Sequence, residues 1–271
     1  MAEASESNLI FRATDRHLGR KMCVTPSNSA TQHLHYARIV LADSEKSVSF
    51  ETGDRETGLI VLNGEAQVQV AGQSHDLSRF DGIYIPRGAS VRVSTNSRAD
   101  IAEIAAPVTG EYPLQVMKQS EIAANPSLKF TTGAPTQQRH LNIILGKNVN
   151  AGRIMAGVTV SEPGNWTSWP PHEHTKMLEE MYIYFDMPEP AFALQLVYND
   201  TPYPELVTAV RDGDAVLMPS GYHPNVSVPG HRICFLWAMA AHTEQADRQF
   251  GVVNVQPGFG AGGSGLEASR K

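Results

Sequence analysis

The 271-residue chain carries 22 Lys and Arg against 28 Asp and Glu, 41% hydrophobic residues, 22 Gly and 17 Pro; such a composition supports a large packed core and excludes collagen-like, coiled-coil and disordered chains. A formal net charge of −6 leaves no basic stripe to neutralise phosphates, so nucleic acid is not expected as a partner. Cys23 and Cys234 fit neither a disulfide framework nor a Cys-rich zinc motif. The polar, acidic N-terminus lacks a signal-peptide pattern, and apolar runs such as 233–241 are about half of the ~20 residues that cross a bilayer. These features predict a cytoplasmic protein without a membrane span.

In chain order, short β-branched or alternating runs fall at residues 37–41, 58–62, 66–70, 82–86 and 90–94, then at 154–160, 181–185, 193–198, 215–219 and 233–240. Gly, Pro, Asn or Asp bounds most of them, the signature of sandwiches and barrels, so an all-β fold is expected. Between the two groups, residues 114–127 are the best candidate for a short helix. The expected organisation is an N-terminal unit at 1–125, a C-terminal unit at 126–257 and a flexible Gly-rich tail at 258–271. The halves echo one another: Asp81-Gly82 opens a strand that closes on Pro86-Arg87-Gly88, and Asp212-Gly213 opens one that closes on Pro219-Ser220-Gly221. Such an echo points to an internal duplication of a β-barrel unit.

Polar ligands concentrate in the second half, at Pro171-His172-Glu173-His174, Glu179-Glu180 and His223. Residues i and i+2 of an extended strand share a face, so His172 and His174 can point together into a barrel mouth. With a carboxylate from Glu179 or Glu180 and the His223 imidazole, they make a set of three nitrogens and one oxygen. That set suits zinc, iron, manganese, nickel or cobalt and leaves positions open for substrate. Alternation decides what each carboxylate accompanies: Glu180 shares its face with Tyr182 and Tyr184, Glu179 with Met181, Ile183 and Phe185. A ligand cavity wants the polar, aromatic face. In the first half Ser90 stands where the Pro-x-Gly alignment would put His223, and the His33-Leu34-His35 pair has no Glu nearby, so that half is expected to hold no metal.

The arrangement resembles the cupin superfamily, whose motifs are G…H-x-H-x(3,4)-E and a later strand ending in P-x-G-x-x-H. A more specific resemblance runs through Gly164-Asn165-Trp166-Thr167-Ser168-Trp169-Pro170-Pro171-His172-Glu173-His174, Leu178-Glu179-Glu180-Met181-Tyr182 and Pro219-Ser220-Gly221-Tyr222-His223-Pro224. These strings look like the 5-deoxy-glucuronate isomerases of myo-inositol catabolism, a family related to the 5-keto-4-deoxyuronate isomerases. The resemblance covers nearly all of the C-terminal half and is diffuse in the N-terminal half. It implies a bicupin of two tandem jelly-roll-like barrels with short connecting helices, and a divalent metal, zinc first, on His172, His174, Glu180 and His223. The aromatic strand after the family's metal Glu aligns with residues 181–187, which favours Glu180 as the ligand.

The implied reaction converts 5-deoxy-D-glucuronate to 5-dehydro-2-deoxy-D-gluconate. An enediol route needs a base beside the carbonyl and an electrophile for the developing oxyanion, the latter supplied by a metal; a hydride shift is the other route. Glu179, Tyr182 and Tyr184 are the candidates for moving the proton. Arg139, or alternatively Arg211 or Lys176, would meet the substrate carboxylate, and Gln195 and Tyr198 would read hydroxyls. The competing readings are an Fe(II) cupin dioxygenase and a non-catalytic carbohydrate-binding cupin. A small-molecule sugar acid is the expected partner, and a homo-oligomer the expected assembly.

Overall fold

Alternating and continuous apolar runs become strands throughout residues 6–259, the part of the chain that this computed structural model describes. Every run expected from the sequence falls on a strand, among them His35–Leu41, Ser90–Ser94, Ile154–Ser161, Leu178–Tyr184 and Ala215–Met218. The runs at 58–62 and 66–70 belong to one 16-residue strand, Arg55–Val70, which turns a corner instead of stopping. Its register shifts between Val61 and Asn63. Gly64 follows at φ +79°, where an added Cβ would lie 2.0 Å from the Arg98 carbonyl oxygen, so the bend requires glycine. The short helix expected within 114–127 is Gln119–Ala124, anchored by buried Ile122. Of the expected tail, residues from 260 onward lie outside the described part.

Two large sheets carry the architecture. The nine-stranded sheet is made of N-terminal strands; the seven-stranded sheet is made of C-terminal strands plus Ile10–Phe11 from the beginning of the chain. Ile10 and Phe11 pair with Val216 and Ala215, and Arg12 then makes a 2.7 Å ion pair with Asp214. The first residues therefore complete the sheet of the other half. Ile60, Leu62 and Ile104 from one sheet meet Ile143, Leu145, Ile154 and Met181 from the other in one contiguous buried cluster, and each such side chain contributes ~1.5–3 kcal/mol by leaving water. A second cluster, including Ile39, Leu59, Val61, Val93 and Ile101, fills the far side of the nine-stranded sheet. On the far side of the seven-stranded sheet lies a four-stranded sheet containing Ala193–Val197 and Asn225–Ser227.

The echo seen in the sequence recurs in the pairing. Gly82–Ile85 and Ala215–Met218, which end before Pro86 and Pro219, pair antiparallel with Arg55–Val70 and Leu178–Tyr184 respectively. Ile85 stands opposite Thr57, and Met218 opposite Glu180. Thr57 thus corresponds to Glu180, and Glu56 to Glu179.

Candidate metal centre

The pleat of Leu178–Tyr184 sends Glu180, Tyr182 and Tyr184 to the side of the four-stranded sheet and Glu179, Met181 and Ile183 to the core between the large sheets, as alternation predicts. His172 starts the strand His172–Glu173, and His174 follows it directly. His223 arrives from the turn at Gly221, whose φ of +88° brings the backbone so near Tyr198 that a Cβ would sit 2.8 Å from its carbonyl oxygen. His172, His174, Glu180 and His223 are 9%, 3%, 1% and 1% exposed.

Donor atoms of His174, Glu180 and His223 all lie within 4.8 Å of one another. The His172 ring stands beside them, 4.9 Å from the His223 ring between centroids. Each imidazole is aimed by a backbone carbonyl: Nδ1 of His172, His174 and His223 lies 2.9, 3.2 and 2.9 Å from the oxygens of Pro170, Leu178 and Gly221. A carbonyl only accepts, so Nδ1 carries the hydrogen and Nε2 turns its lone pair inward. His174 Nε2 is 2.9 Å and His223 Nε2 3.1 Å from Glu180 Oε2. The second contact lacks hydrogen-bond geometry, which leaves the buried His223 Nε2 without a hydrogen-bond partner.

Lone pairs converging at these distances need a proton or a cation between them. His174, His223 and Glu180, with the His172 ring beside them and each imidazole braced from behind by a carbonyl, fit a divalent metal. Burial, reinforced by His223, pushes His172 down to about 3. Burial alone would raise Glu180, but its contacts with His174 and His223 hold it at about 2.

Beside the cluster is a cavity of about 70 Å³, whose polar walls include Arg139, Ser168, Tyr182, His172, His174 and Glu180 and whose apolar walls include Trp237 and Phe250. Tyr182 Oη is 2.5 Å from Ser168 Oγ. Burial, then the Glu180 charge, raises its phenol well above the ordinary value. Arg139 donates to the Trp169 and Gln137 carbonyls at 2.9 and 3.0 Å, and burial lowers it to about 10. A roomier cleft of about 640 Å³, walled by stretches of residues 49–92, has no histidine or cysteine in its lining.

Several expected site residues lie elsewhere. Glu179 is corrected: its carboxylate faces away from the cavity and accepts the backbone N–H groups of Gln32, His33 and Leu34 at 2.7, 2.8 and 2.5 Å. Tyr184 and Gln195 are corrected as well. The Tyr184 hydroxyl donates to Gln195 Oε1 at 2.5 Å, and Gln195 Nε2 donates to the His223 carbonyl at 3.1 Å, so the pair braces the ligand loop from outside the cavity. Tyr198, placed as a hydroxyl reader, instead donates to Gln256 at 2.7 Å. Arg211 and Lys176 are exposed and line no part of the cavity. Sequence reasoning missed Ser168 and the segment 250–253, which closes the cavity. Phe250 stacks on Trp237 at 4.8 Å, and the next strand, Asn254–Val255, pairs with His172–Glu173. The nearest signal for the segment is Phe250, one aromatic residue near the end of the expected C-terminal unit.

An all-β scaffold carrying buried His and Glu side chains beside a small cavity agrees with the expected cupin-like fold. The KduI/IolB family model matches residues 9–253. The chain belongs to the KduI/IolB family and is an enzyme of the isomerase class. It is 28% identical over 244 residues to the 5-deoxy-glucuronate isomerase of Geobacillus kaustophilus, covering 82% of this chain and 84% of that one. With the 4-deoxy-L-threo-5-hexosulose-uronate ketol-isomerase of Kineococcus radiotolerans it shares 30% identity over 211 residues, 73% of this chain and 72% of the other. The crystal structure of an IolB-like protein from Salmonella typhimurium superposes with a TM-score of 0.80 at 24% identity, over 92% of this chain and 97% of that one. Oxalate decarboxylase from Bacillus subtilis shares the fold with a TM-score of 0.63 at 13% identity, over 87% and 78% of the two chains.

Proposed function

We propose that this protein is a metal-dependent uronate isomerase that converts 5-deoxy-D-glucuronate to 5-dehydro-2-deoxy-D-gluconate, as in myo-inositol catabolism. The observation that carries the reading is the convergence of the His174, Glu180 and His223 donor atoms, with the His172 ring 4.9 Å from that of His223, beside a cavity that also holds a buried arginine. A divalent metal, zinc first, with manganese, iron, nickel or cobalt compatible, would supply Lewis-acid polarisation of the substrate carbonyl. Arg139 meets the substrate carboxylate from the opposite wall. Tyr182, kept protonated by burial and the Glu180 charge, donates to a substrate oxygen while Ser168 holds its hydroxyl. Among the described residues Glu180 is the only carboxylate in the cavity lining and is taken up as a ligand, which favours the hydride-shift route: hydrogen passes between the adjacent carbons as hydride, while the Tyr182 and Ser168 hydroxyls relay the proton from one substrate oxygen to the other.

In this reading the chain is a bicupin, with units at 1–125 and 126–257. Thr57, Leu59 and Val61 occupy the places of Glu180, Tyr182 and Tyr184, which leaves the first unit metal-free. A cytoplasmic homo-oligomer accommodates the same account. The ketol-isomerase relatives favour a second substrate, a 4-deoxy-5-ketouronate. An NMR time course with each acid in turn tests the choice. Conversion of the 5-deoxy acid supports the proposal, conversion of the 4-deoxy-5-keto acid alone transfers it to the second substrate, and oxygen consumption without isomerisation replaces it with the dioxygenase reading.

A further inference from the structure

Two buried carboxylates outside the cavity make the same contacts in opposite directions across the molecule. Glu179 Oε2 accepts the N–H of Gln32, and its Oε1 accepts those of His33 and Leu34, at 2.7, 2.8 and 2.5 Å. Glu56 Oε2 accepts the N–H of Gly152, and its Oε1 accepts those of Arg153 and Ile154, at 2.7, 2.6 and 2.7 Å; its Oε2 also accepts the Tyr84 hydroxyl at 2.6 Å. The two glutamates are 1% and 0% exposed. They are also equivalent by strand register: Glu56 stands opposite Ala106, and Glu179 opposite Ala240. Their targets correspond too, since His35, just after Leu34, pairs with Ala105, and Ile154 pairs with Ala240. Each half thus holds three consecutive backbone N–H groups of the other.

The residue after each clamp differs. Thr57 follows Glu56 and has no ligating group beside it, whereas Glu180 follows Glu179 and belongs to the ligand cluster. Successive side chains of a strand leave on opposite faces, so fixing Glu179 on the core face fixes the pleat that aims Glu180 at the cavity. We infer that Glu179 is a positioning residue for Glu180, and that the N-terminal half serves the metal centre by supplying the three N–H groups that hold it. Glu56 is the internal control: it makes the same three backbone contacts, with the Tyr84 hydroxyl as a fourth donor, and among the described residues no ligand cluster lies beside it. The inference rests on the reading of the cluster as a metal centre.

The test compares Glu179→Gln with Glu56→Gln in the full chain. Each replaces a carboxylate oxygen by an amide N–H2, which opposes a backbone N–H or gives up a charge-assisted bond. Zinc affinity is read by competition with a chromophoric chelator, and folding by thermal denaturation. Glu179→Gln is expected to bind zinc ~10-fold or more weakly, in the range seen for groups that orient ligands. Glu56→Gln is expected to lose thermal stability to a comparable extent while keeping the wild-type zinc affinity. Equal zinc affinities in the two variants, whether both weakened or both unchanged, overturn the inference. If either Gln variant does not fold, Glu179→Asp and Glu56→Asp make the same comparison with the charge retained. A wild-type protein that binds zinc without isomerising a uronate refutes the functional proposal and leaves this inference standing; one that binds no divalent metal overturns both.

Discussion

Tyr182 and Arg139 line the same cavity with different proposed tasks, and their substitutions should separate in kinetics. Tyr182→Phe keeps the ring that lies 4.2 Å from Phe235 and removes the hydroxyl. A fall in kcat of ~10²-fold with KM little changed is expected, as for loss of a general acid. An unchanged kcat would remove Tyr182 from the chemistry. Arg139→Lys keeps a charge but loses the planar fork and is expected to raise KM by ~10-fold or more with a smaller effect on kcat, measured by initial rates. At this scale much of the site was legible. The His-x-His spacing and the face that Glu180 shares with Tyr182 follow from period-two geometry, while His223 was singled out by its place after the Pro-x-Gly turn and Glu180 by the resemblance of the aromatic strand that follows it. Glu179 was misassigned because alternation tells which face a carboxylate takes but not that residues 32–34 wait there with three N–H groups. Ser168 was missed because a lone serine between two tryptophans has no distinguishing pattern.

Between elements, Glu244 ties the chain after Cys234–Ala241 to the residues that follow Ala99–Pro107. It accepts from the Thr109 backbone N–H and hydroxyl, the Gly110 N–H and the Tyr112 hydroxyl at 2.7–3.0 Å. Partial desolvation opposes ionisation, but these donors outweigh it and lower the carboxyl from 4.5 to about 2. The folded state therefore gains stability from Glu244 above pH 4.5 and loses it as the pH falls toward 2. Thermal denaturation of Glu244→Gln should show a smaller loss of Tm across that window than the wild type; parallel curves would contradict the assignment. Gly157 has a different constraint, since a Cβ there would lie 2.3 Å from the Trp237 ring. Gly157→Ala is expected to cost ~1–3 kcal/mol through overpacking, read by urea denaturation, and an unaffected midpoint would show that Trp237 yields freely. Apolar strands were readable because burial on both faces leaves uninterrupted runs, as in Cys234–Ala241. Ser47–Glu51 and Gln73–Ser78 were not, because exposed polar residues dilute their pattern.

For the molecule as a whole, the D-G-strand-P-x-G echo announced a repeated unit, and the matching registers around Thr57 and Glu180 carry that echo into three dimensions. The sequence could not announce that Ile10–Phe11 pairs into the distant sheet, because two residues have no period and their partner lies some 200 positions away in the chain. Nor could it show that each half grips the other through a buried glutamate. A bound metal would stabilise the folded state by ~2.7 kcal/mol at a hundredfold excess over its dissociation constant, so chelation should lower Tm by roughly 5–10 °C. The most direct measurement reconstitutes chelated protein with increasing zinc and follows uronate isomerisation by NMR in the same samples, with His223→Ala alongside. The account predicts activity that rises with bound zinc to a plateau at one ion per chain, and none for His223→Ala at any zinc concentration. Full activity in the chelated protein, or retained activity in the variant, would contradict it.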